Sequence, residues 1–427
     1  MNLESTNKDI IDTPFYIWIV YFALLTISVF WTNTDLVAPN IFIRVIFTFF
    51  LVGPLFRYPY LTPVIISTFA TIRLFSVAPF GYLPTETYYY LGIIIIVVLF
   101  QLKNLNYNIK YYGLISLLFI AFFSNFINMN LEYNNILFML IAVLLSLLID
   151  NEKHLKLIEF GFVIVTLVLS VYALIFLKEF SVSMYDSDSE RVFWNDPNYL
   201  GSVLTLGIII SFFNIIDGNK QKLLFKVFYS IVFILGFITL GLLASRGSFV
   251  TLIIPIAYII FKKTNSIKSF IAFSIIVIIF IVVLFNTESF AALLFRFSDD
   301  TLSSGSDRTV IWEKSFVNFV DSDLSILLFG GGTDYANKLC GLSIGRDSFS
   351  PHNNFFQILY DYGIFGLFVF ITFVGRMFYI NKNSILITSL ILAFCIISIT
   401  LVPLMYLPFW VLIVLFINQN RYEKYEY

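Results

Sequence analysis

Three arginines and one histidine are the side chains of this 427-residue chain that best suit chemistry on a phosphate group. Arg191, Arg246 and Arg308 each lie near the end of an apolar stretch. A guanidinium can bind phosphate oxygens through two parallel hydrogen bonds, and it keeps its charge beside lipid. His352 directly precedes another apolar stretch, and an imidazole can accept a proton from an attacking hydroxyl at neutral pH. These residue types predict a site for a phosphate-bearing group with a general base beside it.

Each of these residues also has an ordinary structural explanation. An arginine at the end of a membrane span can simply extend its charged group towards water. A histidine just before a helix can cap that helix or form another local hydrogen bond. Three arginines together on the outer side favour the functional explanation for the arginines, whereas for His352 both explanations stay open. Arg73 lies inside a predicted span and is a further candidate, because ionisable residues within spans usually serve a function.

The composition excludes several classes of protein. Hydrophobic residues make up 59% of the chain and charged residues 12%, which is about half the usual charged share of a soluble domain. This excludes a soluble enzyme and a disordered chain, and the 2 cysteines exclude a disulfide-stapled secreted domain. The net charge of −1 gives no basic field for nucleic acid. No metal site of the His/Cys type is expected, because the 2 histidines fall on opposite sides of the predicted membrane.

Apolar runs of the length that crosses a bilayer as a helix recur along the whole chain. The sequence therefore predicts an all-α fold, a polytopic transmembrane helical bundle of about fourteen spans, with twelve as the alternative, forming a single integral membrane domain over 1–427. The predicted spans are 14–32, 41–56, 60–78, 88–102, 111–127, 134–149, 157–177, 198–216, 223–243, 248–261, 269–286, 354–374, 384–399 and 403–417.

The distribution of basic residues predicts the orientation of the bundle. Most of the 26 Lys and Arg residues fall on one side when the spans alternate, and basic loops face the cytoplasm. Both termini are then cytoplasmic. The largest outer segment, 287–353, is a charged extracytoplasmic loop, and a loop of this length usually has a function.

Two local patterns indicate structure near this loop. Trp312, Phe316 and Phe319 are spaced as one face of a helix over 308–320, which predicts a short amphipathic helix lying on the membrane surface. The glycines of 329–335 predict a turn. Gly363 and Gly366 form a small-residue pair that permits close helix packing.

Four segments resemble the O-antigen polymerase and O-antigen ligase superfamily of bacterial envelope polysaccharide synthesis. Arg191 to Gly201 (RVFWNDPNYLG) is similar to its Arg followed by an Asn-Pro-Asn-like element, and Ala244 to Ser248 (ASRGS) to its Ser-Arg-Gly/Ser signature. Asp307 to Trp312 is similar to the opening of its large outer loop, and His352 to Leu367 to the signature at the end of that loop. Their order and spacing agree over about 190–370, whereas the N-terminal half matches only as a bundle of spans.

The resemblance implies a metal-independent, inverting glycosyltransferase without a cofactor, in the bacterial cytoplasmic (inner) membrane, with an extracytoplasmic active site. Its donor would be an oligosaccharide on undecaprenyl pyrophosphate at the outer leaflet of the lipid bilayer. A chain-length regulator and a flippase are the protein partners that it implies.

Site residues carry over from the resemblance position by position. Arg246 and Arg308 would hold the pyrophosphate and assist its departure, together with Arg191. His352 would be the general base. Asn198 lies in the Asn-Pro-Asn-like element and is assigned to substrate binding. Arg73 lies outside the resemblance and is assigned to substrate binding as an ionisable residue within a span.

Three functions fit this reading. A polymerase joins lipid-linked repeat units and is favoured, because such chains are often strongly apolar and poorly similar to one another. A ligase would instead transfer the finished polymer to lipid A core. A lipid-linked oligosaccharide flippase or other transporter is the alternative of another class, but transporters usually show internal repeats and charges at mid-membrane, and neither is evident here.

Overall fold

The computed structural model describes residues 15–32, 50–72, 85–102, 112–130, 132–149, 151–175, 197–217, 223–243, 245–264, 271 and 308–419. Within these ranges the regular elements are helices and there is no β-strand, so the fold is all-α as predicted. The α-helices are α1 (Phe15–Thr32), α2 (Thr62–Ile72), α3 (Thr85–Phe100), α4 (Tyr112–Ile127), α5 (Asn134–Leu147), α6 (Glu152–Ile175), α7 (Pro197–Ile216), α8 (Leu223–Leu242), α9 (Arg246–Lys263), α10 (Arg308–Val320), α11 (Leu324–Phe329), α12 (Tyr335–Ser343), α13 (Asn354–Ile380), α14 (Ile385–Thr400) and α15 (Leu407–Asn418).

Several helices have the length and composition of membrane spans. Among the described residues, α6, α7 from Asn198 onwards, α8 and α13 are long and apolar enough to cross a membrane. Shorter apolar helices are α4, α14, α15 and most of α3 and α5. The predicted span 269–286 lies outside the described residues apart from Ile271. The helices are those of a membrane protein, while the number and orientation of the spans stay predictions.

One compact unit is drawn from Met1–Asn108, Leu144–Thr239 and Leu407–Tyr427. In it α6 packs against α2 and α7, and α2 packs against α15. Gly207 lets the backbones of α6 and α7 approach, because a Cβ there would lie 2.5 Å from the carbonyl oxygen of Phe162.

The other unit comprises Ile109–Val143 and Leu240–Tyr406. Here α9 packs against α14, and α13 packs against α4. The described part of the predicted outer loop is a cluster of helices, in which α10 and α12 share a core with the start of α13. The core includes Ile311, Phe319, Leu339, Cys340 and Tyr360. The part of the loop from Arg308 onwards therefore has a defined fold.

Helix α10 has the predicted bounds but buries a different face. Ile311, Ser315 and Phe319 are buried, whereas Phe316 is 45% exposed and Trp312 is half-buried. Of the predicted apolar face, Phe319 packs into the protein core, Trp312 is half-buried and Phe316 stays exposed. Hydrophobic spacing indicated a helix, but it could not show that α12 and α13 pack on the face of α10 that carries Ser315. The predicted position on the membrane surface stays a prediction.

Helix α13 is broken at Gly363, whose φ of 70° and ψ of −170° are not helical. A Cβ at Gly363 would overlap the carbonyl of Leu328 at the end of α11, and a Cβ at Gly330, where φ is 78°, would overlap the carbonyl of Asp361. Only glycine allows this mutual approach of two backbones. Gly363 thus permits close packing, as predicted, but it does so while interrupting the helix.

Replacing Gly363 by alanine should destabilise this unit, whereas the same change at Gly375 in the same helix should not. Gly363→Ala meets backbone atoms and requires a positive φ with an extended ψ, a region essentially confined to glycine, which alone costs about 1–3 kcal/mol. A Cβ at Gly375 meets nothing within 4 Å, so Gly375→Ala should gain up to about 1 kcal/mol of helix propensity. Thermal unfolding of the two purified variants in detergent measures the difference, and equal midpoints would contradict it.

The thiol of Cys340 should be unreactive in the folded protein. Burial raises the pKa of Cys340 to about 11, and a hydrogen bond with Ser315 offsets only part of that effect. The reactive thiolate is therefore scarce at neutral pH. In a Cys395→Ser background, we expect maleimide labelling of Cys340 at pH 7.5 only after denaturation. Lys338→Cys, at an exposed position of the same helix, combined with Cys340→Ser, is the reactive control, and rapid labelling of native Cys340 would refute its burial.

Candidate functional site

The predicted site residues fall in different parts of the structure. Arg73 and Arg191 lie outside the described residues. Asn198 is the second residue of α7 in the first unit and is half-buried. Arg246, Arg308 and His352 all belong to the second unit, where their surroundings can be compared.

Arg246 is the first residue of α9. Ser245 caps this helix, since its Oγ accepts a hydrogen bond from the backbone N–H of Ser248 at 3.4 Å and lies 2.9 Å from the Ser248 Oγ. Serine is a preferred residue at this position. The next residue, Gly247, packs on Thr400, because a Cβ there would lie 3.0 Å from both the Cβ and the Oγ1 of Thr400. The start of α9 therefore lies against the last residue of α14.

Arg308 is the first residue of α10 and reaches the same helix end. Its Nη1 donates a hydrogen bond to the carbonyl oxygen of Thr400 at 3.3 Å. Thr400 thus contacts both the first turn of α9 and the first residue of α10. The end of α14 therefore adjoins the starts of two helices that are distant in sequence, each of which begins with an arginine.

The position of these arginines is electrostatically unusual. The N-terminus of a helix carries a partial positive charge, which favours acidic residues and anions and disfavours cations. Neither α9 nor α10 has an acidic residue in its first turn, and each begins with arginine. Two helix N-termini and the guanidinium of Arg308 make this region suitable for an anion, and Arg246 is the first residue of one of these helices. A guanidinium has five N–H donors, so Arg308 can bond the end of α14 and an anion at the same time.

His352 is tied to the first turn of α10 through its neighbour. The Nε1–H of Trp312, one turn after Arg308, donates to the carbonyl oxygen of Pro351 at 2.7 Å. The backbone of His352 is left-handed, with a φ of 48°, which is uncommon for a residue with a side chain and occurs often at functional sites. The ring is edge-on to Phe349, with centroids 5.8 Å apart.

The cap of α13 is Asn353, and this settles one alternative for His352. The Asn353 Oδ1 accepts hydrogen bonds from the backbone N–H groups of Phe355 at 2.9 Å and Phe356 at 3.2 Å. His352 is therefore not the side chain that caps the helix. Its own N–H donates to the Ser350 Oγ at 3.2 Å, which helps to hold the unusual backbone.

Two contributors to this region were missed by sequence reasoning. Thr400 looks like any residue at the end of an apolar run, and nothing in its local sequence marks it. Trp312 was interpreted as an apolar contact, but its indole N–H anchors the peptide beside His352. For Trp312, the spacing of one helical turn from Arg308 is the sequence pattern that could have indicated this role.

Comparison with known families identifies this region. A family model described as O-antigen ligase matches residues 231–371. These residues are therefore similar to the O-antigen ligase family. The match confirms the predicted superfamily, whose members are glycosyltransferase-like enzymes of polysaccharide assembly. A search of curated proteins found no match.

The matched segment coincides with the residues described above. It covers about a third of the chain and includes Arg246, Arg308, Trp312 and His352. Thr400, which adjoins the starts of α9 and α10, lies beyond the match. The contact between α14 and the matched segment is therefore a feature of the structure that the match alone does not contain.

Loss of the Trp312 indole N–H should weaken the attachment of the His352 segment. Trp312→Phe keeps most of the ring but leaves the carbonyl of Pro351, a buried residue, without its donor, which costs about 1–3 kcal/mol. Thermal unfolding in detergent measures this loss. Phe316→Leu, at an exposed position of the same helix, is the control, and an equal effect of the two changes would argue against an anchoring role for Trp312.

Proposed function

We propose that this chain is a polymerase of O-antigen or capsular polysaccharide, which joins undecaprenyl-pyrophosphate-linked oligosaccharide repeat units. The observation that carries the proposal is the meeting of two arginine-bearing helix N-termini at Thr400. His352 is held to the same turn of α10 through the hydrogen bond from Trp312 to Pro351. This arrangement supplies an anion site and a base within the segment similar to the O-antigen ligase family.

The reaction that these groups suit is glycosyl transfer with a pyrophosphate leaving group. A hydroxyl of the acceptor sugar attacks the anomeric carbon of the donor from the face opposite the lipid pyrophosphate, so the configuration inverts. The bond from the anomeric carbon to the pyrophosphate oxygen breaks, and its electron pair leaves with that oxygen. His352 accepts the proton of the attacking hydroxyl, which is worth roughly 10²–10⁴ in rate.

The arginines stabilise the charge that develops on the leaving group. Negative charge on the departing pyrophosphate is greater in the transition state than in the bound donor, so cations fixed there lower the barrier selectively. Arg246 and Arg308 fill this role at the two helix N-termini. Arg191, Asn198 and Arg73 complete the proposed donor site, and the arginines supply its cations without a metal ion.

The proposal places the enzyme in the bacterial cytoplasmic membrane as one multi-pass domain. Most basic residues lie in the segments on the same side as the two termini, and basic segments face the cytoplasm. Both termini are therefore cytoplasmic, and the proposed site faces the extracytoplasmic side. A flippase would deliver the lipid-linked repeat units, and a chain-length regulator would act on the polymer.

A ligase is the second candidate, since the matching family model is described as O-antigen ligase. Its donor chemistry is the same, but the acceptor is lipid A core. The strongly apolar composition supports the polymerase. A transporter is supported less well, because the described arginines of the candidate site lie at helix ends.

Loss of either described arginine should reduce transfer strongly. Arg246→Ala and Arg308→Ala should each lower the rate by about 10²–10³, as expected when one group that stabilises transition-state charge is lost. The measurement is polymer formation from lipid-linked repeat units by purified protein in detergent, where a transporter would have no gradient or sealed compartment. Arg376→Ala, at an exposed position of α13, is the matched control. Wild-type polymer from a well-expressed Arg246→Ala variant would refute the assignment.

The glycans of a deletion strain separate the two enzymes. Without a polymerase, cells carry single repeat units, whereas without a ligase they accumulate long chains that remain on the lipid carrier. A glycan gel of the deletion strain, complemented with wild type or Arg308→Ala, distinguishes these outcomes. Unchanged glycans in the deletion strain would contradict both.

A further inference from the structure

The break in α13 frees backbone carbonyl groups that a continuous helix would satisfy. In a regular helix the carbonyls of Tyr360 and Asp361 would accept from residues four positions later, beyond the interruption at Gly363. Instead, the N–H of Gly331 donates to the Tyr360 carbonyl at 3.0 Å, and the N–H of Gly332 donates to the Asp361 carbonyl at 2.9 Å. Residues 329–332, called here the glycine loop, thus take the place of the missing helical turn.

The side chain of Asp361 makes a second connection at the break. Its Oδ1 accepts a hydrogen bond from the backbone N–H of Ala336 at 2.8 Å, and its Oδ2 accepts one from the Gln357 Nε2 at 2.7 Å. Ala336 lies in the first turn of α12, where Asp334 provides no side-chain cap. Asp361 therefore satisfies the start of α12 from another helix.

Tyr360, the neighbour of Asp361, holds α10, and α10 also shares its core with α12. The hydroxyl of Tyr360 lies 3.1 Å from the Ser315 Oγ, and its ring packs on Phe319 with centroids 5.1 Å apart. Ser315 in turn donates to the carbonyl of Trp312 at 3.2 Å. Residues 360–361 are thus the common attachment of the glycine loop, α12 and the helix that carries Arg308 and Trp312.

A fully buried acidic side chain is expensive to keep away from water, even with partners. Asp361 has no exposed surface, and its carboxylate is not part of the four-motif pattern that defines the site. Its hydrogen bond with Ala336 joins α12 to α13, and its hydrogen bond with Gln357 fixes the carboxylate within α13. Such a group is retained where it fixes an arrangement that apolar packing alone would leave loose.

We propose that Asp361 is a positioning residue for transfer, which holds α12 and the glycine loop on the break of α13 and thereby fixes α10 with Arg308 and Trp312. The catalytic part of this inference rests on the proposed glycosyl transfer. The mechanical part, that Asp361 fixes α10, is independent of any substrate.

Replacement of Asp361 by alanine and by asparagine should have opposite effects on the loop cluster. Asp361→Ala removes both acceptors and leaves the Ala336 N–H and the Gln357 amide unsatisfied. Asp361→Asn keeps an oxygen for the Ala336 N–H. Its new amide N–H group can donate to the Gln357 Oε1, which has no hydrogen-bond partner in the described structure, once the Gln357 amide turns over. Asparagine should therefore rescue what alanine loses.

Hydrogen exchange of the purified protein, measured without substrate, tests the mechanical claim. Asp361→Ala should speed exchange by about tenfold or more in 308–320 and 335–343, as expected from loss of a hydrogen bond to a charged group, with 385–400 unchanged. Asp361→Asn should exchange like the wild type. Thr388→Val is the matched control, because it removes a buried hydrogen bond of 2.9 Å to the Asn381 carbonyl outside the loop cluster.

Transfer kinetics test the catalytic claim. With α10 loosened, Asp361→Ala should lower kcat by up to about 10²-fold, the effect of a displacement near 1 Å, and change KM much less. Asp361→Asn should retain kcat within about threefold, by the same reasoning. If Asp361→Ala does not accumulate, the same measurements are made on Ser124→Ala. This change removes a 2.8 Å hydrogen bond to the Asp361 carbonyl, and its expected effect is smaller.

Each outcome decides the proposal. Native exchange of 308–320 in Asp361→Ala overturns it, and so does faster exchange spread equally over α9 and α14. Native exchange with lost transfer in Asp361→Asn would show that the charge itself acts in the reaction and would also overturn it. A wild-type protein without any transfer would refute the proposed function, while the exchange measurement would still decide whether Asp361 fixes α10.

Discussion

In the second unit, most of the described loop depends on the contact between the broken backbone of α13 and the backbone of the glycine loop. A helix interrupted near its middle leaves carbonyl groups without partners, and in a buried position these must be satisfied. The N–H groups of Gly331 and Gly332 do so, together with the Ser124 hydroxyl of α4. The two backbones can meet only because Gly330 and Gly363 have no Cβ. The positions of α10, α11 and α12 are therefore all fixed by contacts with residues 360–363 of α13.

A second constraint is electrostatic and concerns helix ends. Two helices begin with arginine at the last residue of a third, although arginine at a helix N-terminus opposes the helix dipole. The carbonyl of Thr400 offsets part of this cost, because the C-terminus of α14 carries partial negative charge and accepts from Arg308. An anion bound between the two N-termini would offset more. In the proposed donor site that anion is the pyrophosphate of the lipid-linked donor.

The sequence predicted the elements better than their contacts. Local spacing was sufficient for the bounds of α10 and the turn at 329–335, since both depend on neighbours in sequence. It placed Phe316 and Phe319 on one apolar face, but spacing cannot show which of the two a distant helix will cover. The double role of Gly363 and the anchoring bond of Trp312 depend on partners more than 30 residues away, and no local pattern encodes them. The four-motif resemblance located Arg246, Arg308 and His352, but it could not supply Thr400 or Asp361, which act through the fold.

The two constraints meet in the choice of arginine at position 308. A lysine there could cap α14 or bind an anion, but its ammonium is a compact group on a flexible stem. The planar guanidinium offers donors along two edges, so one edge can hold the Thr400 carbonyl while the other binds two phosphate oxygens. The helix end then orients the cation before the substrate arrives, which reduces the reorganisation needed in the reaction. Since α10 is in turn fixed on α13 through Ser315 and Tyr360, the position of this one guanidinium follows from the break at Gly363.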